Sequence, residues 1–181
     1  MALKSTVYKA DLQITDLDRH YYANHVLTLA LHPSETEERL MVRLLAFAVH
    51  ASEQLEFTQG LDNPDDPALW EKDLTGALLH WIDLGQPDER RLQKACGRAA
   101  RVTVYCYGAG STTQWWTQIS GKLGRLDNLE VRRLAEADVA ALATLAARGM
   151  RLEITLQDGD WFISSEGREL TLRPEILRAA S

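Results

Sequence analysis

The 181-residue chain carries 20 Lys and Arg against 26 Asp and Glu, for a formal net charge of −6 at pH 7, and 45% of its residues are hydrophobic. This composition is typical of one globular domain whose core needs neither disulfides nor a metal, so residues 1–181 are expected to form a single domain. An acidic chain gains little from counterion release, which excludes a surface that binds nucleic acid everywhere but allows a local basic patch.

No stretch of the sequence approaches the roughly 20 consecutive apolar residues of a membrane helix. The first residues also lack an apolar run of signal-peptide length. Cys96 and Cys106 lie in apolar surroundings and are too few for a four-ligand zinc site, so both are expected to be small buried hydrophobes. We therefore expect a cytoplasmic protein with reduced thiols and no membrane association.

The chain opens with a predicted β-hairpin followed by a helix. Apolar and polar residues alternate over residues 8–14, the period of a half-buried strand, and a polar turn at residues 16–18 leads to a second strand over residues 26–31. Ser34 is then expected to cap a helix that runs to about Ser52, in a capping box whose other member is Glu37.

Strands and helices alternate through the rest of the chain. Strands are predicted over residues 55–58, 68–73, 77–84, 102–105, 129–131, 152–156, 161–164 and 170–172. Helices are predicted to begin at Pro87, at Ser111 and at Asp138, the last closed by Gly149. This order predicts a mixed α/β (α+β) fold, with a partly parallel central sheet flanked by helices and antiparallel strands added at both ends.

Asp83 is the most conspicuous candidate for chemistry, because it follows the nearly continuous apolar run of residues 77–82. A carboxylate in such a strand has a large desolvation cost unless a cation or several hydrogen-bond donors compensate it. It also stands where a strand ends and a helix begins, the usual place of sites in open α/β sheets. The alternative is that Asp83 accepts backbone amides in the turn at Gly85.

Two further acids could join Asp83. Asp73 ends the preceding predicted strand, and Glu38 lies three and seven residues before apolar positions of the first helix. A helix acid beside two strand acids would form the oxygen-rich cage that Mg²⁺ or Mn²⁺ prefers. The alternatives are a turn role for Asp73, and for Glu38 a solvated charge that pairs with Arg39 or Arg43.

Several ordered blocks of the chain resemble the bacterial YaeQ family. They are His32-Pro33-Ser34-Glu35-Thr36, Arg43-Leu44-Leu45-Ala46, Trp81-Ile82-Asp83-Leu84-Gly85, Pro87-Asp88-Glu89-Arg90, Lys94-Ala95-Cys96, Trp115-Trp116 and Gln157-Asp158-Gly159. The resemblance runs from Ala2 almost to the C-terminus. It implies a bacterial protein whose fold is a variation on the PD-(D/E)XK nuclease core, and it implies no particular function.

In nucleases of that core, a helix Glu and two strand acids hold Mg²⁺, and a nearby Lys or Gln orients the attacking water. The resemblance therefore implies metal-binding roles for Glu38, Asp73 and Asp83. The nuclease motif places a lysine two residues after the second acid, where this chain has Gly85. Gln86 or Lys94 is left to replace that lysine.

Five basic residues lie on or next to the second predicted helix: Arg90, Arg91, Lys94, Arg98 and Arg101. They could hold phosphates beside the acidic site, with Arg91 and Arg98 as the named candidates, or form a solvated helix face. Two functions follow. One is a Mg²⁺- or Mn²⁺-dependent nuclease or phosphodiesterase, and the other is a catalytically inactive nuclease-fold module that binds nucleic acid or a protein partner.

Overall fold

A computed structural model describes residues 4–181. The chain divides into two compact units, the first formed by the chain up to Val49 together with Ala137–Pro174, and the second by His50–Glu136 together with Glu175–Ser181. Because compact units of this size can belong to one cooperative domain, the single-domain assignment stays a prediction.

The described residues contain 11 strands and four α-helices. The strands are β1 Thr6–Asp16, β2 Tyr21–Leu31, β3 Leu55–Phe57, β4 Leu69–Lys72, β5 Leu78–Leu84, β6 Arg101–Cys106, β7 Leu129–Arg133, β8 Gly149–Gln157, β9 Asp160–Ser165, β10 Arg168–Leu172 and β11 Glu175–Arg178. The helices are α1 Glu37–His50, α2 Glu89–Arg98, α3 Ala109–Ile119 and α4 Glu136–Ala143. The predicted mixed α/β fold is confirmed.

The first unit is built on a five-stranded sheet in the order β10-β9-β8-β1-β2. β1 and β8 are parallel, whereas the other neighbouring strands are antiparallel. The alternation in β1 follows its sequence, because every second side chain is buried on one face. The strands predicted at the two ends of the chain therefore form a sheet of their own instead of extending the central one.

The second unit contains a six-stranded sheet in the order β11-β7-β6-β5-β4-β3. β5, β6 and β7 are parallel, and the remaining pairs are antiparallel. One face of this sheet packs apolar side chains of β5, β6 and β7 against α2 and α3, with Trp81, Leu92, Val104 and Trp115 in the same core. β5 is thus an inner strand, and its C-terminal end leads directly to α2.

The boundaries of α1, α3 and α4 differ from the sequence prediction. α1 begins at Glu37 and not at Ser34, because the hydroxyl of Thr36 accepts the N–H of Arg39 at 3.1 Å and caps the first turn. α3 begins at Ala109, so Ser111 lies inside the helix and does not cap it. α4 ends at Ala143, and Gly149 is the first residue of β8.

The start of α2 also differs, and this difference affects the candidate site. Asp88 is the N-cap, since its side chain accepts the N–H of Arg91 at 2.8 Å, and the predicted first helical residue, Pro87, precedes the cap. As a result, Arg91 lies in the first turn of α2. This position places its side chain beside the strand that ends just before the helix.

Candidate functional site

Asp83 is buried in the second unit, where it is only 3% exposed. Both of its carboxylate oxygens accept hydrogen bonds from Arg91, Oδ2 from Nε at 2.8 Å and Oδ1 from Nη2 at 2.9 Å. This two-pronged geometry is the strongest form of an Arg–carboxylate pair. Hydrogen bonding to Asp83 raises the pKa of Arg91 above its ordinary value. The cation Arg91 therefore compensates the desolvation cost of burying Asp83. This is one of the two kinds of compensation that the sequence predicted, a cation or several hydrogen-bond donors.

Arg91 also holds the loop that precedes β4. Its Nη2 donates to the carbonyl oxygen of Asp66 at 2.8 Å, and its Nη1 donates to the carbonyl oxygen of Pro64. One guanidinium thus joins the end of β5, the first turn of α2 and a proline-rich loop. Because the guanidinium is planar and rigid, it fixes these three segments together more firmly than a lysine would.

Asp73 is the cap of a turn. Its Oδ1 accepts from the Thr75 hydroxyl at 2.6 Å, from the Thr75 N–H at 2.8 Å and from the Ala77 N–H at 3.0 Å. The Thr75 hydroxyl, followed by the Ala77 amide, lowers the pKa of Asp73. This is the turn role that the sequence left open.

The structure does not bring Asp73 and Asp83 together. β4 and β5 pair antiparallel, with Leu69 opposite Ile82 and Lys72 opposite Leu78. Asp73 therefore lies at the turn of this hairpin and Asp83 at its far end, roughly 20 Å away at about 3.3 Å per residue.

Glu38 is exposed in the first turn of α1, in a helix whose residues from Leu40 onward are buried. In residues 4–181, no group of three His, Cys, Asp or Glu side chains is placed to hold a metal ion. With both oxygens of Asp83 already bonded to Arg91 and Asp73 bonded into its own turn, these acids do not fit a Mg²⁺ or Mn²⁺ site in this conformation.

Glu35 is a buried acid that the sequence reasoning missed. Its Oε1 accepts from Arg39 at 2.8 Å, its Oε2 accepts from Arg43 at 3.1 Å and from the His32 N–H at 3.3 Å. Arg43 in turn donates to the carbonyl oxygen of Ala30 at 2.9 Å. The signal in the sequence was the spacing of Arg39 and Arg43, four and eight residues after Glu35, which places both cations on the same side of a helix. The expected cap at Ser34 placed Glu35 within the capping-box segment instead of in an ion pair.

Gln86 and Lys94, the candidates to replace the motif lysine, have other partners. The amide nitrogen of Gln86 donates to the hydroxyls of Ser111 at 2.9 Å and Thr112 at 3.2 Å, which joins the end of β5 to the start of α3. Lys94 is 54% exposed and lies 3.3 Å from the carboxylate of Asp65. Neither side chain is bonded to Asp83.

A cleft of about 400 Å³ lies beside α2, lined by Asp65, Trp81, Asp88, Arg90, Arg91 and Lys94. Arg90, Lys94 and Arg98 follow one another at four-residue intervals on α2 and are all exposed, so they form a basic stripe along one side of the helix. The guanidinium of Arg98 lies 5.2 Å from the ring centre of Trp81. The indole nitrogen of Trp81 is a buried donor with no hydrogen-bond partner among residues 4–181.

A buried polar cluster occupies the other face of the same sheet, and sequence reasoning did not find it. The ring nitrogen of His80 bonds to the Thr103 hydroxyl at 2.8 Å, and that of His50 bonds to the Tyr105 hydroxyl at 2.6 Å. The two imidazole rings are in edge contact at 4.8 Å. Burial, with the charges of Arg101 and Arg132, lowers the pKa of His80 to about 3. His80 is therefore a neutral structural residue at physiological pH.

The two cysteines and Trp115 have structural roles. Both cysteines are free; Cys106 is buried, and Cys96 packs half-buried against the core of the second unit. Burial raises the pKa of Cys106 to about 12 and that of Cys96 to about 11, which favours inert thiols over nucleophiles. Trp115 is buried, and its indole donates to the carbonyl oxygen of Pro87 at 2.8 Å.

These features describe a mixed α/β protein with two mixed sheets and a cleft, lined by three basic and two acidic residues, beside an inner strand. A family model described as YaeQ protein matches residues 1–174. The proteins described as uncharacterized protein YaeQ of Salmonella typhi and of Escherichia coli K12 are 42% identical over 173 residues and 43% identical over 170 residues, covering 96% and 94% of both chains, respectively. The chain belongs to the YaeQ family.

Solved structures agree with this assignment. The crystal structure of the YaeQ protein from Xanthomonas axonopodis pv. citri matches with a TM-score of 0.94 at 50% identity, covering 97% of this chain and 99% of that one. The YaeQ protein from Pseudomonas syringae matches with a TM-score of 0.93 at 36% identity, covering 97% of each chain. These organisms are bacteria, in agreement with the expected origin. In residues 4–181, no helix has both the length and the apolar character needed to cross a membrane.

Proposed function

We propose that this chain is a nuclease-like module that binds the phosphate backbone of a nucleic acid along the α2 basic stripe without cleaving it. The chain order of α1, β3 to β5, α2 and β6 supports a core of the PD-(D/E)XK type, since it is the order that the resemblance implies. The observation that carries the proposal is the pairing of Asp83 with Arg91. It neutralises the acid that a catalytic metal would need, whereas Arg90, Lys94 and Arg98 stay exposed along α2.

The basic stripe suits an extended polyanion. Residues four apart on a helix are separated by about 6 Å along its axis, so Arg90, Lys94 and Arg98 offer three charges in a row about 12 Å long. Arg90 has no ion-pair partner in the described part of the chain, and the partner of Lys94, Asp65, is itself 79% exposed. Exposed pairs of this kind are weak, so a phosphate can replace the Asp65 carboxylate at little cost.

Replacing Arg90 or Lys94 with alanine is expected to weaken binding of a fluorescein-labelled single-stranded oligonucleotide. Each substitution should reduce the affinity by about three- to tenfold at low salt. It should also reduce the slope of log affinity against log salt concentration by about 0.7 in magnitude, because each cation releases counterions from one phosphate. Fluorescence anisotropy at several salt concentrations measures both quantities. Lys9→Ala, which removes an exposed lysine from the other unit, is the matched control and should bind as the wild type does.

Absence of binding at low salt, or an equal loss in Lys9→Ala, would contradict the proposal. The same oligonucleotide, incubated with Mn²⁺ and separated on a denaturing gel, tests the second candidate function, a metal-dependent nuclease. That function is favoured by one observation, the position of Asp83 at the end of an inner strand beside the cleft. Cleavage that disappears in Asp83→Asn would replace the binding-only proposal. The cytoplasmic location stays a prediction.

A further inference from the structure

β2 is an edge strand of unusual length. It closes one side of the five-stranded sheet and pairs with β1 over all 11 of its residues, from Tyr21 opposite Asp16 to Leu31 opposite Thr6, without a register shift. Within residues 4–181, no strand pairs with its other side. An unpaired edge of this kind is a template for a further strand.

The hydrogen bonds of β1 determine which residues of β2 point outward. The N–H of Lys9 donates to Arg148 at 2.8 Å, and the carbonyl of Val7 accepts from the Arg148 side chain at 2.9 Å, so the odd-numbered residues of β1 face β8. Its even-numbered residues consequently face β2, where their partners are odd-numbered. The even-numbered residues of β2 must therefore direct their N–H and C=O groups away from the sheet.

Five residues of β2 belong to this outward set: Tyr22, Asn24, Val26, Thr28 and Ala30. The carbonyl of Ala30 accepts a hydrogen bond from Arg43, which independently supports the assignment. Among residues 4–181, the other four have no backbone partner on that side. Their side chains are also the exposed ones, with Val26 80% and Tyr22 61% exposed.

In the described part of the chain, the other sheet edges carry features that hinder strand pairing, whereas β2 carries none of them. β10 has five residues and carries Arg168 and Glu169; β3 has three residues; β11 has four residues and an irregular register. Short length, charge and irregularity are the usual means of preventing edge pairing. The sequence of β2 contains no Lys, Arg, Asp, Glu, Pro or Gly. This contrast indicates that the outer edge of β2 pairs with a further strand.

We propose that β2 pairs antiparallel with β2 of a second copy of this chain, which joins the two five-stranded sheets into one continuous sheet. A register centred on His25 places Tyr22 opposite Thr28 of the partner copy and Asn24 opposite Val26 of the partner copy. This register uses the four outward-facing residues that lack a backbone partner. In this register, the carbonyl of Ala30 keeps its hydrogen bond from Arg43.

A second copy suits this edge for two reasons. First, a strand without charged residues can pair with a second copy of itself without placing like charges opposite one another. Second, under a two-fold axis the four outward-facing residues of each copy form backbone hydrogen bonds with the same four residues of the other copy. Nine paired residues at about 3.4 Å each give an interface roughly 30 Å long. With side chains on both faces it buries on the order of 1,000 Å² in total, the lower end for a specific interface, so the dimer should dissociate at micromolar concentration.

Sedimentation velocity of the full chain, from about 1 to about 100 µM, tests the proposal because a dimer of this kind depends on concentration. Wild type should change from monomer to dimer over this range. Val26→Lys, which places two cations at the centre of the interface, and Thr28→Pro, which removes one outward N–H without touching the β1 ladder, should each raise the dissociation constant at least tenfold. Circular dichroism confirms that both variants are folded.

Phe162→Lys is the matched control, since Phe162 is an exposed apolar residue of β9, on a strand separated from the β2 edge by β8 and β1. It should dimerise as the wild type does. A wild type that stays monomeric at the highest concentration overturns the proposal, and so does a dimer that neither β2 variant weakens. If Phe162→Lys weakens the dimer as much as Val26→Lys does, the contact lies on the exposed face of the five-stranded sheet. That result would also overturn the proposal.

Discussion

Arg91→Met is expected to lower the free energy of unfolding by about 3–5 kcal/mol, because it leaves the buried carboxylate of Asp83 without its cation. Methionine keeps much of the packing volume of the arginine stem and removes the charge and all the donors. The carbonyls of Pro64 and Asp66 lose their donor in the same change, so the loop they belong to should also loosen. Urea denaturation followed by tryptophan fluorescence measures the loss.

Lys94→Met is the control, three residues further along the same helix. Its exposed pair with Asp65 is worth about 0–1 kcal/mol, so this variant should unfold close to the wild type. The double variant Asp83→Leu/Arg91→Met should recover much of the loss, since an apolar pair can replace a buried ion pair without a large penalty. If Arg91→Met costs no more than Lys94→Met, Asp83 does not depend on Arg91.

The second large effect concerns pH. His80 is 4% exposed and hydrogen-bonded to Thr103, and its pKa is lowered from 6.5 to about 3 by burial and by the charges of Arg101 and Arg132. The unfolded chain therefore takes up a proton on this ring below pH 6.5, whereas the folded chain does not. The contribution of neutral His80 to the free energy of unfolding is fully present above pH 6.5 and decreases as the pH falls toward 3, at about 1.4 kcal/mol per pH unit.

Between pH 7 and pH 4.5, His80 should thus account for about 2–3 kcal/mol of lost stability. Urea denaturation at intermediate pH values measures this loss, and His80→Gln should reduce the slope because glutamine keeps a hydrogen-bonding nitrogen near Thr103 and does not titrate. His20→Asn removes an exposed histidine with a positive φ of 55°, which asparagine tolerates, and should leave the slope unchanged. An unchanged slope in His80→Gln would show that His80 is not the source of the acid sensitivity.

The sequence was sufficient to locate Asp83 and to state its requirement for a cation or several donors, because both follow from one charged residue at the end of an apolar strand. It did not identify Arg91 as that cation. The identification depends on the first turn of α2, and the expected start at Pro87 shifted that turn. A shift of one or two residues on a helix changes which side chain faces the neighbouring strand.

The separation of Asp73 from Asp83 was, in contrast, already contained in the sequence. Once residues 68–73 and 77–84 are paired across residues 74–76, an acid at the turn and an acid ten residues later must lie at opposite ends of the hairpin. The two-sheet architecture was not readable in this way. The parallel pairing of β1 with β8 joins distant parts of the chain, and local patterns carry no information about such contacts.

That same pairing has a consequence for how the protein folds. The β1–β2 hairpin can form early, but its sheet is complete only when β8, β9 and β10 have joined it, because Lys9 lies opposite Gly149 and the residues after it follow in order. β11 similarly adds to the other sheet only from residue 175 onward. Contacts this distant along the chain slow folding and keep hairpin edges open in the meantime. Refolding from denaturant should therefore be slow, and chains arrested before β8 should be prone to aggregation.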